Sequence, residues 1–327
     1  MDSANPEISV DVPPYIRVHK DGTVERIAGS QVAPPGLDLH TNVISKDIVI
    51  IPETGVTARI YRSNSAAETP HQKLPLLLYY HGGAFCISSA ADPVYHNSLN
   101  NLVAEANIIA VSINYRLAPE HPLPAAYEDS WDALRWVASH ATQDREDHES
   151  WIKNNVDFDR VFLGGDSAGA NISHFLALRL HASHPDPVAT KDFKISGLVM
   201  VNPYFWGKEP IGVEITDTAR KQMVDKWWDF VCPSEKGNDD PLINPFVEEA
   251  PALEGLGCSK VVVTVAEKDI LVERGKLYYK NLSNSGWKGR AVLLETEGED
   301  HVFHIFNPNC DKAKILIKRL ASFINDQ

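Results

Sequence analysis

The apolar positions of this chain change rhythm part-way along it. Near the N-terminus they alternate with polar ones. Tyr15–Val18 and Val24–Ile27 flank Lys20-Asp21-Gly22, and an Asp-Gly step between alternating stretches predicts a hairpin. Lys46–Ile51 and Val56–Tyr61 predict a second strand pair that turns at Glu53-Thr54-Gly55. Residues 1–14 read as irregular. Residues 28–44, with Pro34, Pro35 and Gly36, read as loop, and 63–73 as polar and exposed.

From residue 74 the apolar residues come in short unbroken runs: Leu74–Tyr80, Ile108–Ile113, Val161–Gly164, Ile195–Val201, Val261–Ala266 and Ala291–Leu294. Such runs fit strands buried on both faces of a parallel sheet. Between most of them the apolar spacing is helical. Tyr95–Ala106 is one such stretch. Tyr127–His140 carries the stripe Trp131, Leu134, Trp136 and Val137, and Ala168–Ala182 carries Ile172, Phe175, Leu176 and Leu178. Lys276–Ser283 and Ala313–Ile324 follow. Strand alternating with helix predicts an α/β fold, a mostly parallel central sheet with helices on both faces. Residues 203–257 break the alternation. They hold Trp206, Trp227 and Trp228, then Pro241, Pro245 and Pro251, and read as a cap-like insertion. The expectation is one domain over 1–327, with 1–44 as an N-terminal lid or hairpin segment and 203–257 as the cap.

Composition narrows the function classes. A 43% hydrophobic, 23% charged chain can build a large core. The net charge of −13, with no basic tract, argues against nucleic acid and against an anionic membrane surface. Cys86, Cys232, Cys258 and Cys310 lie too far apart in sequence for a zinc or redox motif, and scattered cysteines imply a reducing compartment. The N-terminal MDSANPEISVDVPPY has no basic start or apolar core, and SFINDQ at the other end matches no address signal. No apolar run reaches the roughly 18 residues of a membrane span. A cytoplasmic monomer or homodimer is the expectation.

The chemistry centres on Gly165-Asp166-Ser167-Ala168-Gly169, between a strand and a helix. This G-x-S-x-G pattern is that of a nucleophile elbow, a turn so tight that positions two residues either side of the serine take glycine. A serine hydroxyl needs a base, and the base an orienting carboxylate. Beyond residue 200 the only histidines are His301 and His304. His301, in Gly298-Glu299-Asp300-His301, follows the last strand and is the expected base; His304 reads as a packing or surface residue. Asp269 and Glu267 compete for the acid at the end of the run 261–266, and Asp269 is favoured because Ile270-Leu271 would shield it. His81-Gly82-Gly83-Ala84-Phe85 follows another strand and offers backbone N–H groups for an oxyanion hole. Gly83, Ala84 and Ala168 are the first choices as donors, with Gly82 the runner-up.

Together these stretches resemble the plant carboxylesterases of the hormone-sensitive-lipase-like branch of the α/β-hydrolases. HGGAF at 81–85, NYRLAPEHPLPAAYEDS at 114–130, GDSAGANI at 165–172, EKDILVERG at 267–275 and GEDHVFH at 298–304 carry the likeness, with YIRVHKDGTVER at 15–26. The resemblance implies an α/β-hydrolase fold and a Ser167–Asp269–His301 triad. It also implies an ester substrate, acyl-enzyme chemistry, and no metal or organic cofactor. Segment 114–130 resembles a stretch that braces the site. Three related functions compete. Gibberellin receptors share the scaffold but lose the triad histidine, which is present here as His301. 2-Hydroxyisoflavanone dehydratases share HGGAF but carry threonine at the position of Ser167. Some cyclases and decarboxylating esterases also use this scaffold.

Other features read as structural. His174, His181 and His184 have no carboxylate pair near them in sequence and fit a solvated helix face rather than a metal site. Glu146-Asp147-His148-Glu149 reads as a solvated charged loop. Gly164-Gly165 with Gly169 is a weak match to a dinucleotide loop. Trp227 and Trp228 read as packing, with Trp206 left open. The acyl pocket is expected between the N-terminal segment and the insertion.

Overall fold

The alternating strands divide between two sheets, the first pair entering a small N-terminal sheet and the second joining the edge of the large one. A computed structural model describes residues 7–67, 73–142, 148–182 and 193–326, with residues 181 and 182 as backbone only. His184, the His181 side chain, Glu146-Asp147 and the 68–72 part of the polar stretch lie outside the described residues.

The first sheet is antiparallel, β1 (Ile8–Val12), β2 (Ile16–His19) and β3 (Val24–Arg26). The predicted hairpin is β2–β3. The third strand corrects the irregular reading of residues 1–14. It pairs Val10 with Val18 and Val12 with Ile16, and its own side chains are mostly exposed, so no apolar run announces it.

The second sheet has nine strands. β4 (Leu37–Asp38) lies in the region read as loop, followed by β5 (Val43–Ile51) and β6 (Val56–Ser63). Then come β7 (Leu74–Tyr80), α1 (Pro93–Ala106), β8 (Ile109–Asn114), α2 (Ala125–Ala138), α3 (Ser150–Asn155), β9 (Val156–Asp166) and α4 (Ala168–Ala182). β10 (Ile195–Val201), α5 (Thr218–Val231), β11 (Lys260–Ala266), α6 (Val272–Asn284), β12 (Arg290–Thr296), α7 (Phe303–Phe306) and α8 (Asp311–Asn325) complete the chain. The strand order is β12-β11-β10-β9-β7-β8-β6-β5-β4. β7 to β12 run parallel, and β4, β5 and β6 form an antiparallel edge.

Every residue of β7 is buried, as its unbroken apolar run requires. Strand side chains alternate faces. Leu76, Leu78 and Tyr80 join one core with Leu134 of α2, Ile172 of α4 and Leu282 of α6, while Leu77 and Tyr79 join another with Leu99 of α1 and Leu316 of α8. Helices therefore cover both faces, and the loops leaving β7, β9, β10 and β11 meet at one edge of the sheet.

Candidate active site

Ser167 stands where β9 ends and α4 begins. Its φ is +51°, a left-handed conformation that costs a non-glycine residue roughly 1–3 kcal/mol unless its surroundings impose it. Here they do. Its N–H donates to the Val201 carbonyl (2.9 Å), and its own carbonyl accepts from Tyr204 N–H (3.0 Å). The flanking glycines are required by close approach. A Cβ at Gly165 or at Gly169 would strike the Tyr80 carbonyl oxygen at the end of β7, and one at Gly165 would also meet the Gly169 backbone. The neighbouring strand, rather than the serine itself, forbids side chains there.

Asp269 and His301 come from loops 32 residues apart and meet at 2.7 Å, Nδ1 to Oδ2. A carboxylate only accepts, so Nδ1 carries the proton and Nε2 is left for proton exchange. Asp269 is 1% exposed. Its Oδ2 also accepts from Asn202 Nδ2 (2.9 Å), and its Oδ1 from Leu271 N–H (2.9 Å). Asn202 escaped the sequence reading; its only mark is its place between the run 195–201 and Pro203. Burial opposes a charge on His301 and is the largest influence on it. The Asp269 charge and hydrogen bond, helped by Asp166 and Asp300, outweigh it, and the His301 pKa is raised. Glu267 points elsewhere and accepts from Gly298 N–H at 2.6 Å. His304 is buried among packing residues, and burial pushes its pKa down to about 4.

Gly83 and Ala84 line the cavity that holds Ser167, Asp269 and His301. The Ala168 N–H opens α4, where no intrahelical partner exists for it. Gly82 corrects the sequence reading. Its N–H donates to the Tyr95 hydroxyl (2.9 Å) and to Asp166 Oδ1 (3.1 Å), so it is not available to an oxyanion. Asp166 is the further residue that sequence reasoning saw only as the neighbour of Ser167. Buried beneath the loop, it also accepts from Tyr79 OH (2.8 Å) and Tyr95 OH (2.9 Å). Burial is the main cause that lifts its pKa, to about 6. A Cβ at Gly82 would collide with this carboxyl. Asp166 thus ties the end of β9 to the loop after β7.

His81 is a prop. Its ring stacks on Tyr115 at 4.3 Å, and Nδ1 meets the Gly82 carbonyl at 2.8 Å. Burial pushes its pKa down to about 4, so it stays neutral. From the stretch 114–130, Tyr115 OH donates to the His81 carbonyl (2.6 Å), and within that stretch Arg116 pairs with Asp129 (2.7 Å).

The cavity encloses about 570 Å³. Residues 203–257 supply Met223, Val224 and Trp227 to it, and the N-terminal segment supplies Tyr15, Ile27 and Gln31. Trp227 corrects its reading as packing alone, because it lines the cavity and meets Tyr15 edge-on at 5.8 Å. Trp228 is packed against Phe85, and Trp206 is buried with its Nε1 donating to Asp225 (2.8 Å). Arg220 of α5 reaches the loops that carry Asp269 and His301, at the Lys268 carbonyl (2.9 Å) and the Asp300 carboxylate (3.4 Å). His174 corrects the reading of a solvated face. It is buried, 3.0 Å from the Tyr278 hydroxyl of α6. Among the described residues no group of His, Cys, Asp and Glu is placed to hold a metal.

A family model described as the alpha/beta hydrolase fold matches residues 77–305, which span the serine turn, the acid loop and His301. The chain belongs to the α/β-hydrolase family. Within it, the protein is 58% identical over 325 residues to a probable carboxylesterase of Arabidopsis thaliana, covering 99% of each chain. It is 45% identical to a 2-hydroxyisoflavanone dehydratase of Glycyrrhiza echinata, covering 97% of this chain and 96% of that one. Among solved structures it superposes on an esterase of the archaeon Pyrobaculum calidifontis with a TM-score of 0.70 at 25% identity, over 86% of this chain and 84% of that one. This hydrolase is therefore an enzyme of the plant carboxylesterase type in fold and kinship.

Proposed function

We propose that this α/β-hydrolase is a serine carboxylesterase that cleaves small to medium carboxylic esters through an acyl-enzyme. The observation that carries the reading is the 2.7 Å Asp269–His301 bond in the cavity that also holds Ser167. As Ser167 Oγ bonds to the ester carbonyl carbon, His301 Nε2 takes the hydroxyl proton. The N–H groups of Gly83, Ala84 and Ala168 hold the oxyanion. The C–O bond to the alcohol then breaks, and the alcohol leaves with the proton from His301. Water adds to the acyl-serine by the same route, and the acid departs. The cap that shapes the substrate cavity is built from the N-terminal sheet with the Ile27–Gln31 stretch and from residues 203–257, while β4 and the start of β5 belong to the central sheet and narrow the lid expected over 1–44. No metal or organic cofactor enters these steps.

The test is pre-steady-state hydrolysis of p-nitrophenyl acetate and butyrate. An esterase shows a nitrophenolate burst equal to the enzyme concentration. A well-folded protein with no turnover would move the reading to the dehydratase-like function of its 45% identical relative. The intact acid–base pair stands against a receptor without turnover.

The pH dependence follows from His301. The base must be neutral, and its pKa is raised. Activity is therefore lost as pH falls through a value above the ordinary histidine pKa of about 6.5. The measurement is kcat/KM against pH from 5 to 9, and an acid limb below the ordinary value would refute the assignment. Among the described residues no helix is long and apolar enough to cross a membrane. The four free cysteines support a reducing compartment, and we place the protein in the cytoplasm.

A further inference from the structure

We propose that Arg26, at the end of β3, is a positioning residue for the oxyanion-binding loop, so that turnover depends on the docked N-terminal sheet; this rests on the hydrolytic reading above. The loop after β7 is strained. Gly83, Ala84, Phe85 and Ser88 all have left-handed backbone, at φ +98°, +49°, +62° and +70°. Three of the four carry a Cβ, so the form persists only where surrounding contacts impose it. Within the loop, Cys86 and Ile87 N–H donate to the Gly83 carbonyl (2.9 and 3.1 Å). That closes the turn but does not anchor it. The anchors come from outside. Ala118 N–H donates to the Phe85 carbonyl at 2.9 Å. Arg26 Nε donates to the Cys86 carbonyl at 2.7 Å, and Nη2 to the Ala118 carbonyl at 3.0 Å. The other edge of the guanidinium grips Glu120 through Nη1 (2.7 Å) and Nη2 (2.6 Å).

One planar group thus holds the two carbonyls on either side of the Phe85–Ala118 bond and is itself held by a carboxylate. Only the fork of an arginine can make these contacts at once; a lysine ammonium cannot. Arg26 is not a catalytic residue, since it does not line the cavity. It acts through Cys86, two residues from Ala84. The residues that follow it, Ile27 to Gln31, do line the cavity. The same strand end therefore builds part of the substrate wall and sets the oxyanion donors. If the N-terminal sheet lifts, both are lost together.

The experiment compares wild type, Arg26→Lys, Arg26→Gln and Glu120→Gln. Two readouts are taken: the acylation rate with p-nitrophenyl acetate, and amide hydrogen exchange across residues 82–90. Acetate is too small to need the substrate wall. Displacement of an oxyanion donor by a fraction of an ångström predicts acylation slowed by about 10- to 100-fold in both Arg26 variants. The dissociation constant of acetate in the acylation step should stay near wild type, and loop exchange should be faster. Glu120→Gln keeps both carbonyl contacts and should show the smaller loss. Arg26 variants that acylate acetate at the wild-type rate, lose affinity only for p-nitrophenyl octanoate and leave exchange unchanged would overturn the proposal. Arg26 would then merely anchor the wall. Melting temperatures identify any variant that fails to fold, and Arg26→Lys serves if Arg26→Gln does. If wild type hydrolyses nothing, the esterase reading falls, while loop exchange still decides whether Arg26 holds the loop.

Discussion

Ser167→Ala should lower kcat by roughly 10⁴- to 10⁶-fold, the range over which serine triads collapse when the nucleophile is removed. The fold should remain. The change deletes one oxygen, and the backbone bonds that hold position 167 left-handed do not involve the hydroxyl: its N–H still meets the Val201 carbonyl. Alanine also costs no more than serine in that conformation. The variant should therefore melt near wild type, bind substrate and show no burst of p-nitrophenol. The measurement is stopped-flow hydrolysis beside a thermal melt. A burst that survives in the variant would remove Ser167 from the mechanism. A melt far below wild type would mean instead that the hydroxyl supports the turn.

The second large effect is Asp269→Asn, expected to lower kcat by about 10⁴-fold with the cavity intact. Three donors converge on this buried carboxylate: His301 Nδ1 and Asn202 Nδ2 on Oδ2, and Leu271 N–H on Oδ1. Asparagine has one acceptor oxygen. If that oxygen serves Leu271, its amide N–H₂ faces Asn202 and His301, and the imidazole must turn Nδ1 into an acceptor. The proton then sits on Nε2, where the base must be free. Removing the carboxylate also deletes the leading influence that raises the His301 pKa, while burial, which lowers it, remains. The surviving activity should show its acid limb at lower pH than wild type. Measuring kcat/KM across pH in this variant checks both effects. An unmoved limb would mean that another group sets the pKa of His301.

These predictions rest on parts of the protein that were legible to different degrees. The buried strands were the most legible. β7 and β10 coincide with the runs at 74–80 and 195–201, and α4 coincides with the helical stretch 168–182. A strand covered on both faces must be apolar throughout, and a helix that starts in a glycine-flanked turn carries its own boundary. The serine turn was legible because it is built from contiguous residues, Gly165 to Gly169, whereas Asp269 and His301 come from separate loops and only the fold brings them together.

What stayed hidden depended on distant partners. β1 has exposed side chains and exists because it pairs with β2. α5 lies in a charged stretch and buries Val224, Trp227 and Trp228 against other elements. His174 is buried because Tyr278 arrives from a helix 104 residues later. Gly82 loses its expected role because Asp166, 84 residues on, claims its N–H. Arg26 finds Glu120 across 94 residues. By itself the sequence determined the parallel α/β architecture, the serine turn and the residues able to serve as acid and base, since burial on two faces and tight turns restrict residue type locally. Only the tertiary structure decided that the Gly82 N–H is taken, that Trp227 lines the cavity and that Arg26 meets the Cys86 carbonyl. Hydrogen-bond partners and cavity walls are settled by where the strand order brings loops together, and no local pattern encodes that.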